Sequence, residues 1–322
     1  MPKTLNATIA KNIDGKVKVK KNVYTNKKAV GFTVLALPAI ILVFIFNYLP
    51  MLGVIIAFKN YRYDLGIFKS PWVGLSNFVY FFTSQDAWRV TRNTLGYNFV
   101  FILIVIFGAV FIAILLNEVR NTRLIKTYQT VFFFPYFLSW PVVAILLYAF
   151  LNTDMGLFNN VIRAFGGEEI NWYFSPDKWV YIMPILNFWK NIGYNVIVFY
   201  AGLIAIDTTY YESALIDGAS KVQMVFKITL PLLRPLMTVL LLVMLGKIFY
   251  SDFGQFFIAT KDTGAIYPTT DVIDTYVYRT LRVTGKIGMA SAVGFFQSLL
   301  GLITVLASNW IIKCINAEDA LF

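Results

Sequence analysis

Two apolar stretches of the sequence are interrupted by polar side chains that carry hydrogen-bond donors, acceptors or charge. These residues are Asn187, Lys190, Asn191 and Asn195 in the first stretch, and Lys247, Asp252 and Gln255 in the second. The asparagines recur every four residues, which places them on one face of a helix. Amide, ammonium and carboxylate groups bind polar solutes through hydrogen bonds, and inside an apolar stretch they are costly and commonly functional. We therefore predict that they line a pathway for a polar solute.

A structural interpretation of the same residues stays open. The asparagine face can hold helices together through hydrogen bonds, and Lys247 and Asp252 can neutralise each other. In a later stretch, Gln297 lies beside small residues, which are Ser291, Gly294, Ser298 and Gly301. We predict that this small-residue face packs against another helix and does not contact a solute.

The composition excludes most covalent and metal chemistry. The chain has no histidine, so neither an H-E-x-x-H zinc motif nor a Ser-His or Cys-His nucleophile pair is possible. Its one cysteine, Cys314, can form neither an intrachain disulfide nor a cysteine zinc cluster. The sequence also contains no phosphate-binding P-loop. We predict neither catalytic residues nor a metal site.

The elements that must position the polar residues are membrane helices. Of the 322 residues, 58% are hydrophobic and 14% are charged, and the mean hydropathy is +0.66. Apolar runs longer than about 18 residues recur without alternation, which indicates spanning helices and not a barrel. We predict an all-α integral membrane protein with six transmembrane helices, at about 30–58, 91–116, 131–151, 179–206, 236–258 and 288–312. Pro38 and Pro50 are expected to bend the first helix.

The charge pattern predicts the topology. The net charge is +11, and many of the lysines lie in residues 1–29, where only Tyr24 is aromatic, so a membrane orientation signal fits better than a nucleic-acid platform. We divide the chain into a cytoplasmic tail (1–29), a six-span domain (30–313) and a short cytoplasmic tail (314–322). Both termini and the segments 117–126 and 207–234 are then cytoplasmic, and the loops 59–90, 152–178 and 259–287 are outside.

The polar segment 207–234, called the 207–234 insert below, carries helix start and stop signals. Asp207 can cap a short helix that ends near Asp217, and Gly218 suits a left-handed C-terminal cap. Ser220 and Gln223 have capping-box spacing, and they open a second short helix to about residue 229. Pro231 is expected to stop that helix and Pro235 to open the next span. Such an insert presents either a rigid knob to a cytoplasmic partner or an amphipathic surface to lipid.

The insert resembles the "EAA" signature, E-A-A-x3-G-x9-I-x-L-P, of binding-protein-dependent ABC import permeases. The matching residues are Glu212, Ser213, Ala214, Gly218, Ile228, Leu230 and Pro231, and serine replaces only the first alanine. In that family this segment is a coupling helix that docks on a separate ATPase subunit. The resemblance implies a docking role for these residues and for the adjoining Asp217 and Ala219, and it favours the rigid knob over the lipid surface.

Other segments resemble MalF/LplB-type carbohydrate permeases. They include YLPMLGVIIAFKNY (48–61), SPWVGLSNFVYFF (70–82), RNTLGYN (92–98), GLFNNVI (156–162) and SDFGQFF (251–257). The resemblance implies a type I, MetI-like permease in a bacterial cytoplasmic membrane that imports an oligosaccharide by alternating access. It also implies a second permease subunit, two ATPase subunits that bind ATP and magnesium, an extracellular sugar-binding protein, and no cofactor in this chain. No nucleic-acid partner is expected.

Two rival functions are weighed against this prediction. An ion-coupled secondary transporter would need inverted repeats and a membrane carboxylate relay, whereas only Asp252 lies near the predicted bilayer. An intramembrane enzyme or a structural assembly protein would need a catalytic cluster or a soluble domain, and neither is found in the sequence.

Overall fold

A computed structural model describes residues 26–315, with side chains described for 30–314. The predicted cytoplasmic tails overlap this part only at residues 26–29 and 314–315. Regular structure in the described residues is helical, apart from one antiparallel bridge between Lys59 and Trp72. This confirms the all-α prediction. The chain divides into two compact units, Met1–Gly53 and Val54–Phe322.

The described part contains fourteen α-helices. They are α1 (Asn26–Val43), α2 (Gly66–Lys69), α3 (Ser76–Phe82), α4 (Gln85–Asn117), α5 (Thr122–Phe133), α6 (Trp140–Leu151), α7 (Leu157–Ala164), α8 (Pro176–Ile204), α9 (Thr209–Ile216), α10 (Lys221–Met224), α11 (Leu230–Leu245), α12 (Tyr267–Thr270), α13 (Ile273–Arg282) and α14 (Ile287–Ile315). Shorter 3-10 and π-helical turns connect some of them: Phe44–Tyr48, Leu49–Phe58, Phe134–Phe137, Trp172–Phe174, Val225–Thr229, Gly254–Ile258 and Gly264–Ile266.

The first apolar run, Val30–Phe58, is 29 residues long with a mean hydropathy of 2.5, which suffices to cross a bilayer. Pro38 lies inside α1 without ending it. The helix geometry changes close to Pro50 instead. Leu49 donates its N–H to the carbonyl of Phe44 in a π-helical turn, and a 3-10 segment follows. Proline has no N–H to continue the α-helical hydrogen bonds, so the helix changes its geometry near Pro50, where the sequence predicts a bend.

In the second unit, α4 and α8 pack along each other and form the main apolar core. Small residues of α4, Ala109 and Ala113, are fully buried there together with Val196 and Phe199 of α8. The ring of Phe188 lies so close to Gly108 that an added Cβ would be 2.5 Å from it. Close packing through small residues is the common way in which membrane helices associate.

The predicted third span is not one helix. The segments Thr122–Phe137 and Trp140–Leu151 meet at an angle of 98°, and residues 134–139 between α5 and α6 are called the first break. Pro135 cannot donate a backbone hydrogen bond inside a helix, and Pro141 suits the first turn of a new one. Within residues 26–315, four runs are long and apolar enough to cross a membrane alone, and the number rises to six if each of two bent pairs, this one and α8 with α9, is counted as one span.

The predicted fifth span, 236–258, is wrong in both boundaries. One helical run covers Lys221–Leu245, so Pro231 does not stop the helix. The π-helical turn Val225–Thr229 precedes it and accommodates the missing N–H. The helix ends at Leu245, and a series of turns occupies residues 246–253, called the second break. Lys247 and Asp252 therefore lie beyond the helix and not within it.

The segment 259–287, predicted as an outer loop, holds α12 and α13 around a buried carboxylate. Asp271, whose side chain is 1% exposed, accepts hydrogen bonds from Arg89 and Arg279, and Arg279 also binds Asp262. A buried carboxylate is tolerated because both of its oxygens are paired. The segment 152–178 is similarly ordered by Asn159, which is fully buried and hydrogen-bonded to the backbone of Thr153 and Ile170.

Candidate functional site

The 207–234 insert folds as two short helices joined by a tight turn. Asp207 accepts a hydrogen bond from the N–H of Thr209 at 2.9 Å. At the end of α9, Gly218 has φ +76°, and it donates its N–H to the carbonyl of Leu215. Ala219 donates its N–H to the carbonyl of Ala214 at 2.9 Å. This pair of bonds is a Schellman motif, and it confirms the predicted glycine cap.

The second short helix begins with the predicted capping box. The hydroxyl of Ser220 accepts from the N–H of Gln223, and the side chain of Gln223 accepts from the N–H of Ser220 at 2.7 Å. Both turns of the insert are thus fixed by local hydrogen bonds. The N–H of Thr209 also holds the pKa of the exposed Asp207 below its ordinary value, so this cap is charged at neutral pH.

The insert is held together by one internal contact and is tied to the end of α4 by one ion pair. The hydroxyls of Tyr211 and Thr229 are 2.9 Å apart and connect α9 to the π-helical turn Val225–Thr229 within the insert. Lys221 forms an ion pair with Glu118, which follows the end of α4. A cavity of about 250 Å³ lies beneath these contacts, with Leu203 of α8 in its wall. The insert is therefore positioned against both α4 and α8.

The free side of the insert is apolar and exposed. Ile216 is 88% exposed, Val222 66% and Phe226 65%. Of the residues predicted to dock, Glu212, Ser213, Asp217, Gly218 and Pro231 are exposed, and Ala214, Ala219, Ile228 and Leu230 are half-buried. Exposed apolar side chains held on a rigid turn are typical of a binding surface.

The predicted polar residues of α8 face the segment that follows the second break. Asn187 donates to the side chain of Gln255 at 3.0 Å, and Gln255 donates to the carbonyl of Met183 at 2.9 Å. Gln255 is fully buried. Asn191 and Asn195 bind the carbonyls of the asparagines one turn earlier in the helix. The asparagine face is real, and its first member connects two parts of the chain that are 68 residues apart.

Lys190 lies on the same helix but faces the first break. Its ammonium group donates to the carbonyls of Pro135 (3.3 Å), Tyr136 (3.2 Å) and Leu138. The residue is 7% exposed, and the ring centroid of Trp140 lies 5.2 Å from Nζ. All three donors of the ammonium group are used.

Asp252 and Lys247 are not partners. One carboxylate oxygen of Asp252 accepts from the indole N–H of Trp140 at 2.8 Å, and the other accepts from the N–H of Gly254 at 2.9 Å. Among the ion pairs of the described residues, a Lys247–Asp252 pair does not occur. Lys247 lies exposed in the second break, so mutual neutralisation of the two charges is not their role.

Two residues of this cluster were missed at the level of sequence. Trp140 links Lys190 to Asp252, and Asn98 of α4 donates to the carbonyls of Ile248 and Tyr250 in the second break. The position of Trp140 could have been noticed in the sequence. Pro135 and Pro141 lie on either side of it inside an apolar run, and two such prolines indicate an interrupted helix. No local signal marks Asn98.

Within the described residues, no group of three or more histidine, cysteine, aspartate or glutamate side chains could hold a metal ion. The geometry consists instead of a rigid exposed turn at one end and a polar cluster beside two helix breaks. This arrangement suits mechanical coupling and the passage of a polar solute.

Similarity to known proteins extends over most of the chain. Residues 109–316 match a family described as "Binding-protein-dependent transport system inner membrane component". Protein LplB of Bacillus subtilis (strain 168) is 35% identical over 284 residues, which are 88% of this chain and 89% of LplB. The polygalacturonan/rhamnogalacturonan transport system permease protein YteP of the same organism is 34% identical, with 88% and 87% of the two chains covered.

A solved structure has the same fold. It is a bacterial alginate ABC transporter in complex with an alginate pentasaccharide-bound periplasmic protein, and one of its chains superposes with a TM-score of 0.82. The sequence identity is 32%, and the match covers 91% of this chain and 98% of the other.

Proposed function

The chain belongs to the family of binding-protein-dependent transport system inner membrane components, and we propose that it forms one half of the membrane pathway of a carbohydrate importer. As a member it is a permease subunit of an ATP-driven importer and not an enzyme. This membership decides against the ion-coupled carrier. What remains to be proposed is the cargo, the partners, the orientation and the residues that act.

The observation that carries the proposal is the geometry of the 207–234 insert. Its EAA positions lie on a turn that a Schellman motif and a capping box hold rigid. The apolar side chains of Ile216, Val222 and Phe226 are exposed at that turn. Such a surface fits a cleft on a soluble partner, and we assign it to an ATPase subunit. Two such subunits, one below each permease, would bind the ATP and magnesium.

The second half of the pathway would be another permease, because the chain supplies only up to six spans and the family works as paired subunits. An extracellular sugar-binding protein would deliver the cargo to the segments 59–90, 152–178 and 259–287. In support, the solved alginate transporter was captured with a periplasmic protein that holds a pentasaccharide. The insert and the lysine-rich tail then lie in the cytoplasm, and the chain lies in a bacterial cytoplasmic membrane.

The cargo class we propose is an oligosaccharide. YteP is named for polygalacturonan and rhamnogalacturonan transport, and the solved neighbour carries alginate. The amides of Asn187, Asn191 and Gln255 can exchange their present hydrogen bonds for sugar hydroxyls. Lys247 is exposed in the second break and is the charged candidate along the pathway, and Asn195, which is buried, stays a prediction of the same kind. Lys190 and Asp252 are instead bound to the first break and to Trp140.

In the mechanism that follows, ATP binding closes the ATPase dimer and moves the insert of each permease. The motion reaches the spans through the contacts of Lys221 with Glu118 and of Tyr211 with Thr229. The pathway then opens alternately to the two sides, and hydrolysis resets it.

The proposal is tested by purifying the chain from its native membrane in nanodiscs and identifying the proteins that accompany it. We expect an ABC ATPase and a second permease. Reconstituted with its binding protein, the complex should take up labelled oligogalacturonides or alginate oligosaccharides only with ATP. Gly218→Pro should abolish uptake and release the ATPase, while Gly285→Ala, at an exposed turn outside the insert, should change neither. A chain that purifies alone and transports on an ion gradient would overturn the proposal.

A further inference from the structure

We propose that Lys190, Trp140 and Asp252 form a latch that fastens the first break to the second break, so that the two breaks move as one body during transport. This inference rests on the proposed function, because transport is one of its readouts. It assigns Lys190 as a positioning residue that acts on the backbone of this chain and not on the cargo.

The first step concerns the carbonyl groups that each break leaves without helical partners. In a membrane such groups must be satisfied inside the protein. In the first break, Lys190 donates a hydrogen bond to each of the carbonyls of Pro135, Tyr136 and Leu138. One buried ammonium group therefore supplies a donor to the carbonyls of Tyr136 and Leu138 and a second donor to that of Pro135, which also accepts the N–H of Leu138.

In the second break, the backbone groups also find their hydrogen-bond partners in side chains of other helices. Asn98 binds the carbonyls of Ile248 and Tyr250. Gln297 donates to the carbonyl of Phe249, and Asp274 accepts from the N–H of Ser251 at 2.7 Å. Both breaks are therefore built structures with paired backbone groups.

The second step is the connection between the breaks. Trp140, at the end of the first break, has the ammonium group of Lys190 5.2 Å from its ring and donates its indole N–H to Asp252. A cation near one part of the indole and an anion at its N–H polarise the ring in the same sense, so each contact strengthens the other. Asp252 also binds the N–H of Gly254, which places it at the end of the second break.

Packing confirms that this connection is close. A Cβ at Gly254 would lie 2.0 Å from Cδ1 of Trp140 and 2.8 Å from its Cβ, so only glycine fits there. A second tie runs from Asn187, one helical turn from Lys190, to Gln255. Helix α8 thus anchors both breaks, and Trp140–Asp252 closes the connection between them.

If the breaks separated, Asp252 would lose the indole N–H of Trp140 and Gln255 would lose the amide of Asn187, and polar groups inside a membrane protein need such partners. The favoured motion keeps the latch closed and moves both breaks together with α8. A residue with this role affects how fast the pathway changes state. A residue that binds cargo affects how tightly the cargo is held, and the two roles can be separated kinetically.

The test uses the complete importer in proteoliposomes, with Trp140→Phe, Asp252→Asn and the double variant. Phenylalanine keeps the ring but loses the N–H, and asparagine loses the charge. We expect each single variant to lower the maximal uptake rate about fivefold with KM unchanged within about twofold, and the double variant to lower it no further. Trp310→Phe, at an exposed site of α14, is the matched control without effect. The proposal would be wrong if the double variant lost uptake rate by the product of the two single losses, or if the variants raised KM without lowering the maximal rate.

Lys190 is tested by rescue. Lys190→Arg keeps the charge and the donors and should retain most of the uptake rate, whereas Lys190→Met should lose it with KM unchanged. The latch is also tested without transport, by comparing the thermal unfolding midpoints of the purified wild type, Trp140→Phe, Asp252→Asn and the double variant. Equal, non-additive shifts for Trp140→Phe and Asp252→Asn support it even if the wild-type complex moves no carbohydrate, which would refute only the proposed function. Additive shifts overturn it.

A crosslink gives the decisive result. Trp140→Cys with Gly254→Cys, in a Cys314→Ser background, places two Cβ atoms 2.8 Å apart, so the two backbones must move apart by about 1 Å to reach the usual disulfide separation of about 3.8 Å. The reduced protein lacks the latch and should transport slowly. Oxidation should restore the rate, because the disulfide fastens the two breaks again. If oxidation stops the remaining uptake, the breaks separate during the cycle and the proposal is wrong.

Discussion

The hydroxyl of Tyr211 lies 2.9 Å from the hydroxyl of Thr229, and this contact joins α9 to the π-helical turn Val225–Thr229 in the 207–234 insert. Thr229 is 4% exposed and belongs to the π-helical turn that leads into α11. A force applied to α9 therefore reaches the fifth span across this pair and does not have to pass around the glycine turn.

Removing the hydroxyl of Tyr211 should weaken coupling without preventing assembly. Tyr211→Phe loses one hydrogen bond, worth about 1 kcal/mol, and leaves the ring in place. We expect fewer sugar molecules transported per ATP hydrolysed, with the ATPase still bound. The measurement is the ratio of uptake to hydrolysis in proteoliposomes. Tyr210→Phe, at a neighbouring exposed position, is the control, and an unchanged ratio for Tyr211→Phe would show that the contact transmits nothing.

Glycine should be required at position 218 because of its left-handed backbone conformation, and not because a larger side chain would collide with its neighbours. Its φ is +76°, and no atom lies within 4 Å of an added Cβ. Gly218→Ala is expected to cost about 1 kcal/mol in this region and to reduce ATP-driven uptake. Gly218→Asn should retain more activity, since asparagine tolerates left-handed backbone.

Gly285 provides the matched control, because its φ is +66° and its surroundings are equally open. Gly285→Ala carries the same backbone strain far from the insert along the chain. The thermal midpoints of the two alanine variants should fall alike, and only the Gly218 variant should lose coupling. Equal loss of uptake in both would mean that strain alone, and not the insert, explains the result.

Gly193 of α8 should be essential for packing against α5. An added Cβ there would lie 2.1 Å from the carbonyl oxygen of Phe132, and backbone atoms cannot move aside cheaply. Overpacking of this kind costs about 1–3 kcal/mol. Gly193→Ala should lower the thermal midpoint in detergent, and Gly96→Ala, with no atom within 4 Å, should leave it unchanged or raise it.

The cap at Asp207 should make the insert sensitive to acid only well below neutral pH. The N–H of Thr209 lowers the pKa of this carboxyl group. A lowered pKa in the folded state means that the stabilisation is complete above the ordinary aspartate pKa of about 3.9 and is lost as the pH falls through the lowered value.

We therefore expect the coupling ratio of the wild type to be independent of this group between about pH 5 and 8. Asp207→Asn keeps the acceptor and should behave like the wild type, whereas Asp207→Ala should reduce the coupling ratio at every pH. A wild-type ratio that changes steeply between pH 5 and 8, and is flat in Asp207→Asn, would contradict this assignment.

The insert could be predicted from the sequence because its determinants are local. Asp207, Gly218, Ser220 and Gln223 each act within five residues of their own position, and the structure contains the hydrogen bonds of all three predicted caps, with Ser220 and Gln223 forming one capping box. The second break could not be predicted in the same way. The apolar residues Phe256, Phe257 and Ile258 extend the predicted fifth span to residue 258, although the helix ends at Leu245.

The side chains that satisfy the interrupted backbone come from far along the chain. Lys190 donates to carbonyls 52 to 55 residues away, and Asn98 donates to carbonyls 150 and 152 residues away. Hydropathy indicates whether a residue tolerates lipid, but it does not indicate which distant side chain donates hydrogen bonds to the free carbonyls of a broken helix. For the same reason the sequence identifies Lys190 as unusual but not its partners.

The π-helical turn Val225–Thr229 has a mechanical consequence. Because it carries the helix past Pro231 without a stop, the run Lys221–Leu245 is one stiff lever of 25 residues, about 37 Å long at about 1.5 Å per residue. A tilt of about 10° around its end at Lys221 moves its end at Leu245 by about 6 Å at that length. The second break begins directly after Leu245, so a small rocking of the insert becomes a larger displacement at that break.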